Sequence, residues 1–499
     1  MDEFCAVSPE PDPRFFRNIY DSKIFGKLGT ELVDLLTGYL KTAVEDSTSA
    51  PIAPVFNPQK LLKQWELNPG IANGTDQFMP IVRQFIEQSI VMQSPRYMGH
   101  MNAVPTPIAT LCDFLVSFLN SDNGVFEQSS VGTVMEKRVI DWMCEAVGYG
   151  KDAGGFITSG GSLGNLTCLL AARQVASGLD VWKDGIPKDG QLAIMASDQS
   201  HYCARRAAQI MGLGESGVVL IKSDETFHIN SEAIEDAYRA AKADGKQVFA
   251  IVGSACNTAP GTYENLNAIA DFAEKNHMWF HVDAAHGGTA VTSRKYKHLL
   301  NGIERADSVV WDFHKTMMMS SLATAVLFKD HRNSYQAVKQ DAPYLYKAND
   351  VESDDWYTLS KRTMECTKTT MSLKPYMMLE IYGAEIFERY VDVTLDAARE
   401  FAAIIKANAD FELILEPESN IVCFKYNPTK LVRGAVLDDL QKEIRQKVLE
   451  SGRFCIVQTV FKNAGTCLRV VFMNPLTASG EMVELIALIE DIGGAILGM

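Results

Sequence analysis

The 499-residue sequence has no apolar run long enough to cross a bilayer, which excludes an integral membrane helix. Its opening, Met1-Asp2-Glu3-Phe4-Cys5, has neither the basic region nor the apolar core of a secretory signal. The ten cysteines run from Cys5 to Cys467 without one Cys-x-x-Cys pair. That spacing excludes a disulfide framework or a zinc ribbon and fits reduced thiols in the cytoplasm. Positive charge is scarce too: 47 Lys and Arg stand against 62 Asp and Glu, a net charge of −15. A nucleic-acid partner calls for a basic surface, so none is expected. There is no internal repeat and no low-complexity tract. What remains is the ordinary makeup of a globular protein, 47% hydrophobic and 22% charged, in a chain long enough for two or three domains.

Residues 1–105 read as a helical arm. Apolar residues recur at helical spacing from Ile24 to Tyr39, and a second helix is expected from Met79 to Met92. Such an arm either packs on a partner subunit or caps its own core. Helices are expected at Pro107–Asn120 and Val134–Val147, the latter with Glu136 and Arg138 facing out. Strands and helices then alternate, which marks residues 106–375 as a large α/β domain. The expected strands are Leu192–Ser197, Val218–Ile221, Val248–Val252, Met278–Val282, Ser308–Trp311 and Ala323–Phe328, with helices at Ser231–Ala243 and Asn265–Lys275 among them. Short, almost wholly apolar strands suit a mostly parallel central sheet covered on both faces. From about 335 to 365 the chain turns polar, with Asp341, Lys347, Asn349 and Asp350, as a loop or lid does. Helices are expected again at Pro375–Tyr390 and Val391–Asn408. Residues 376–499 read as a smaller α+β domain with segments at Ile421–Tyr426, Leu437–Ser451, Cys467–Phe472 and Gly480–Leu497.

Four stretches carry chemistry. Val309-Val310-Trp311-Asp312-Phe313-His314-Lys315-Thr316 is an apolar strand that ends in a His-Lys pair. Desolvation there is expected to lower the pKa of Lys315, and a neutral amine forms Schiff bases. Gly154-Gly155-Phe156-Ile157-Thr158-Ser159-Gly160-Gly161-Ser162-Leu163-Gly164-Asn165 places glycines and hydroxyls ahead of an apolar helix. Free N–H groups at a helix start attract phosphate, and glycine lets it approach. No Gly-Lys-Ser/Thr follows, and this stretch lacks the Gly-x-Gly-x-x-Gly spacing, so a small phosphate-bearing cofactor fits better than a nucleotide. Ser197-Asp198-Gln199-Ser200-His201 follows a strand and offers a ring able to lie on a flat cofactor. Phe280-His281-Val282-Asp283-Ala284-Ala285-His286-Gly287-Gly288 places an acid at a strand end with small residues behind it. A carboxylate there needs a cationic or hydrogen-bonding partner, such as a protonated pyridine nitrogen. A phosphate cup, a stacking His, a pyridinium partner and a Schiff-base Lys are together the parts that pyridoxal 5′-phosphate requires.

With those stretches in place, the chain resembles the group II pyridoxal-phosphate-dependent amino-acid decarboxylases, which act on glutamate, cysteine sulfinate, 2,4-diaminobutyrate or aromatic amino acids. The resemblance rests on His281-Val282-Asp283-Ala284-Ala285, His314-Lys315, Thr158-Ser159-Gly160-Gly161-Ser162, Ser197 to His201 and Leu468-Arg469-Val470-Val471-Phe472-Met473-Asn474-Pro475. It spans roughly residues 90 to 480. It implies an aspartate-aminotransferase-like (type I) fold and a homodimer with shared active sites. Lys315 would bind the cofactor covalently, Asp283 would pair with the ring nitrogen, and His201 would stack on the ring. Gly161 and Ser162 would take the phosphate with His314 nearby, and Cys256 would lie beside the cofactor. Arg469 and His100 would contact the substrate, Arg469 as a bidentate partner for a carboxylate. The implied reaction is decarboxylation of an L-amino acid, with an acidic or short polar substrate expected. An aromatic substrate, or an aldehyde synthase or aminotransferase on the same fold, is the alternative. The family's mobile-loop tyrosine has no clean match among Tyr344, Tyr346 and Tyr357, so Tyr357 or His201 is left as the proton donor. Cys366-Thr367-Lys368 replaces the Cys-Gly-Arg of glutamate-type members, and Asp312 stands where many relatives have Asn beside the phosphate.

Overall fold

Seven strands build the central sheet of the computed structural model, which describes residues 16–17, 19–45, 51–67, 69, 74–187, 191–338, 356–428 and 433–498. Most of the polar stretch, including Tyr344 and Tyr346, lies outside the described residues. The strands are β1 (Gly154–Thr158), β2 (Leu192–Ser197), β3 (Val218–Ile221), β4 (Gln247–Ser254), β5 (Trp279–Asp283), β6 (Ser308–Asp312) and β7 (Thr324–Phe328), in spatial order β1-β7-β6-β5-β4-β2-β3. The pairs from β3 to β6 are parallel, and β7 runs antiparallel to both β6 and β1. Two reversals restore direction, so β1, β2, β4, β5 and β6 all end on one edge.

The alternation of side chains buries both faces. Val309 and Trp311 join Ile251, Val282 and Leu327 in one core, while Val310 joins Ile194, Val252 and Val326 in another. The helix Gly161–Ala176 lies directly on the second face. Gly164 permits this, because a Cβ there would sit 3.1 Å from Val310 and 3.2 Å from Val326. A smaller antiparallel sheet, in order β10-β11-β9-β8, is formed by β8 (Phe411–Leu413), β9 (Ile421–Tyr426), β10 (Val457–Phe461) and β11 (Gly465–Val471). Helices Glu385–Ala407, Gly434–Glu450 and Ser479–Leu497 close its core around Phe401, Phe424, Ile444, Leu468 and Leu485.

Several expectations need correction. β1 is absent from the expected strands, yet its Gly155 and Phe156 pair with Leu327 and Val326. β8 and β10 are likewise unexpected. The second arm helix is shorter than expected, Phe78–Glu87. The break expected near residue 390 falls at Gly383, which takes φ +68 between helices Leu373–Tyr382 and Glu385–Ala407, and Tyr390 is buried mid-helix. Glu136 does not face out. It is 1% exposed, pairs with the buried Lys368, and accepts the Ile157 N–H at 2.8 Å and Asn123 Nδ2 at 3.2 Å. Arg138 does face solvent.

Candidate active site

The shared edge of β1, β2, β4, β5 and β6 is where an open parallel sheet collects ligands. A cavity of about 260 Å³ opens there. It is lined by Gly160, Gly161 and Ser162 after β1, His201 after β2, Cys256 and Thr258 after β4, Asp283, Ala285 and His286 around the end of β5, and Asp312, His314 and Lys315 around the end of β6, with Met101 and Asn165 completing the wall. The register explains the convergence. Thr158 faces Thr324 and Thr324 faces Asp312 across the sheet, while Asp283 pairs with Ser254 on one side and Val310 on the other.

The helix starting at Gly161 has no side-chain cap, so its first N–H groups are left for an anion. A Cβ on Gly161 would lie 3.2 Å from both oxygens of Asp312 and 3.3 Å from Ala285 Cβ, so any larger residue crowds this cradle. Asp283 is held from two sides: Oδ2 accepts Asn165 Nδ2 at 3.0 Å, and Oδ1 accepts the Ala285 N–H at 3.2 Å. Cys203 Sγ adds a weaker contact at 3.5 Å. Asn165 Oδ1 is in turn 2.7 Å from His281 Nε2, whose Nδ1 meets Ser308 Oγ at 2.8 Å. Burial keeps the His281 ring neutral, with its pKa pulled down to about 4.

Lys315 corrects an expectation. Burial does pull its pKa down, but the Asp312 and Asp283 carboxylates more than offset that, and it ends above the ordinary lysine value. Nζ lies 3.0 Å from Asp312 Oδ2. In the cofactor-free chain the amine is therefore an ammonium, not a waiting nucleophile. His201 Nδ1 accepts the Cys203 N–H at 3.3 Å, which leaves any ring proton on Nε2. Burial, helped by Lys315 and opposed by Asp283, holds the His201 pKa low. Burial pushes the Cys256 thiol up to about 12, so it is a neutral wall and not a nucleophile.

Not every expected residue reaches this cavity. Arg469 sits behind it on β11, donating through Nη2 to Thr258 O at 2.7 Å and through Nε to Ala259 O at 3.2 Å. It braces the turn that carries Thr258. His100 is open to solvent next to Met101, and partial burial, Arg469 and Arg445 hold its pKa below the ordinary value. Tyr357 lines no part of the cavity; its ring packs edge-on against Phe126 at 5.3 Å. Sequence reasoning gave no role to Asn165 or His286. Both stand in the quoted stretches, but only the fold shows their partners. His286 Nε2 bonds Asn420 Oδ1 at 2.7 Å, while Nδ1 is buried without a partner among the described residues. A second cavity, about 360 Å³, is lined by Ser159, Glu365, Lys368 and Lys374 among others. Its lysines are already paired with Glu136 and Asp113.

Comparison with known proteins agrees with this geometry. A family model described as the pyridoxal-dependent decarboxylase conserved domain matches residues 58–427. L-2,4-diaminobutyrate decarboxylase of Acinetobacter baumannii is 28% identical over 419 residues, covering 82% of this chain and 81% of that protein. Cysteine sulfinic acid decarboxylase of Mus musculus is 28% identical over 431 residues, covering 84% and 86%. A crystal structure of mouse CSAD superposes with a TM-score of 0.85 at 26% identity, over 93% of this chain and 99% of that one. The central sheet and its helices are accordingly those of the type I fold.

Proposed function

Because the chain belongs to the pyridoxal-dependent decarboxylases, we propose that it removes carbon dioxide from an L-amino acid with an acidic or short polar side chain, such as glutamate, aspartate, cysteine sulfinate or 2,4-diaminobutyrate. The protein is a lyase that uses pyridoxal 5′-phosphate. The observation that carries the reading is the meeting of Lys315, His201, Asp283 and the Gly160–Ser162 turn on one cavity. Lys315 is the covalent attachment point, and the helix start binds the phosphate. Asp283, fixed by Asn165, holds a proton at the ring nitrogen. The bound cofactor supplies an electron sink for the carbon that loses its carboxylate. His201, the candidate donor on the cavity wall, returns a proton to that carbon from Nε2. Tyr357 serves that role only from another subunit's side, since it does not reach this chain's cavity.

The substrate reading rests on charge. The two acids on the wall, Asp283 and Asp312, are both engaged, the His201 and His286 rings are held neutral, and the Arg469 guanidinium stands just behind Thr258 as the positive group that no carboxylate pairs among the described residues. Such a wall favours an anionic side chain. One observation supports 2,4-diaminobutyrate instead: Nδ1 of His286 is a buried acceptor that an ammonium donor would satisfy. A panel of glutamate, aspartate, cysteine sulfinate, 2,4-diaminobutyrate, tyrosine and Dopa decides this by carbon dioxide release, with ammonia and peroxide measured alongside. Turnover of an acidic or short polar substrate without peroxide is expected, and Lys315→Ala lowers it by roughly 10³-fold or more. Release confined to tyrosine and Dopa, or peroxide formed in step with carbon dioxide, overturns the reading.

The assembly belongs to the same proposal: a cytoplasmic homodimer with shared sites. Leu111, Phe114, Leu115, Phe118 and Leu119 are all exposed on the helix Pro107–Leu119, and Phe25 of the arm stacks beside Phe114 and Phe118. A contiguous apolar face of that kind supports burial against a second copy. The nine described cysteines are free thiols, as a reducing compartment allows. Among the described residues no helix is long and apolar enough to cross a membrane. The division into an arm at 1–105, a large domain at 106–375 and a small one at 376–499 is part of this reading.

A further inference from the structure

Asp312 is a carboxylate where the phosphate cup calls for a neutral or positive group. It is 1% exposed at the end of β6. Oδ1 accepts Thr324 Oγ1 at 2.6 Å. Oδ2 takes no well-aligned hydrogen bond; beside it stand the Lys315 ammonium at 3.0 Å and His314 Nε2 at 3.5 Å. Both oxygens lie against Gly161, the first residue of the helix whose N–H groups form the cup. The titratable groups around it are Lys315 and His314 on its own turn, Asp283 and His286 around the end of β5, and His201 after β2. Thr324 on β7 and Gly161 are neutral. In the cofactor-free chain the Lys315 ammonium balances the Asp312 charge. A phosphate dianion entering the cup puts further negative charge against the same carboxylate, and adjacent buried anions do not both stay ionised.

Resting on the cofactor reading above, we infer that Asp312 takes up one proton from solvent when the phosphate seats. Its carboxyl group then donates Oδ2–H toward a phosphate oxygen. Cofactor loading is thereby linked to pH in this chain, as it would not be with asparagine in the same place. One proton gained on binding weakens affinity about tenfold for each pH unit between the pKa of the free carboxyl and the raised pKa of the bound one, and the dependence is lost above the latter.

The test uses the full-length cofactor-free protein and pyridoxamine 5′-phosphate, which carries the ring and phosphate but no aldehyde. Binding is followed by tryptophan fluorescence from about pH 6.5 to 9, with calorimetry in two buffers of different ionisation heat to count protons. For the wild type the dissociation constant should climb with pH about tenfold per unit more steeply than for Asp312→Asn, and one more proton should be taken up. Equal slopes and equal proton counts in the two proteins overturn the inference and leave the cofactor reading standing. If Asp312→Asn does not fold, Thr324→Val replaces it. Removing the donor to the ionised form should move the pH at which the slope levels off to a higher value, and an unmoved levelling point overturns the inference. Failure of the wild type to bind pyridoxamine phosphate at any pH overturns the cofactor reading and this inference with it.

Discussion

Asn165 shows how one neutral side chain sets the chemistry of a charged one. Its amide nitrogen holds Asp283 and its oxygen faces His281, so both groups lose a partner in Asn165→Leu. Each unpaired buried group costs about 1–3 kcal/mol, and a lost orienting contact typically lowers activity about 10- to 100-fold. The expected result is a lower melting temperature of the cofactor-free protein and a fall in kcat larger than any change in KM. Wild-type kcat in a folded Asn165→Leu protein would remove the role. The sequence marks Asp283 because an acid at a buried strand end is unusual. It leaves Asn165 unmarked, because the two lie 118 positions apart and only the helix resting on the sheet brings them together. His286 is hidden in the same way, its partner Asn420 lying 134 positions along. The raised pKa of Lys315 escapes the sequence for a related reason. Desolvation is legible in an apolar strand, but the nearness of two carboxylates is not.

Elements whose own residues carry a local pattern are the legible ones. β2, β3 and β9 and the helix Ser231–Ala243 fall where an apolar run or a helical period places them. β1 is not legible because two glycines hide its pattern and its partner β7 lies far along the chain. In the helix Ser130–Val147 the sequence points Glu136 outward, because an acid at helical spacing ordinarily faces water. Here it meets Lys368, and together they tie that helix to β1 and to the segment after residue 365. Breaking such a pair from one side strands a buried charge, which costs about 3–5 kcal/mol. Lys368→Met should therefore lower the urea midpoint strongly, while Lys368→Met combined with Glu136→Leu should recover much of the loss. A single variant as stable as the wild type would show that the pair does not brace these elements.

For the molecule as a whole, the exposed apolar face of the helix Pro107–Leu119 predicts the quaternary state. Phe118→Lys should convert a dimer to a monomer in light scattering and lower activity with it; a wild type that runs as a monomer would count against a second copy as the partner. Stability against pH follows from two buried histidines. His281 and His286 have pKa values pulled down to about 4 and about 3, chiefly by burial. The unfolded chain protonates both near the ordinary histidine value of about 6.5, but the folded chain does not until far lower pH. Below about pH 6 the unfolded state therefore binds more protons, and folding stability drops by about 1.4 kcal/mol per pH unit for each ring. Lys315 acts at the other end. Its raised pKa gives stability that is complete below the ordinary lysine value and is lost as pH climbs through the folded one. The cofactor-free protein should thus have a urea midpoint that falls steadily from about pH 6.5 to 4.5, and His281→Gln should make that fall shallower. A midpoint that stays level over this range would mean that the rings find protons in the folded state. The neutral chain from His281 through Asn165 to Asp283 would then lose its basis.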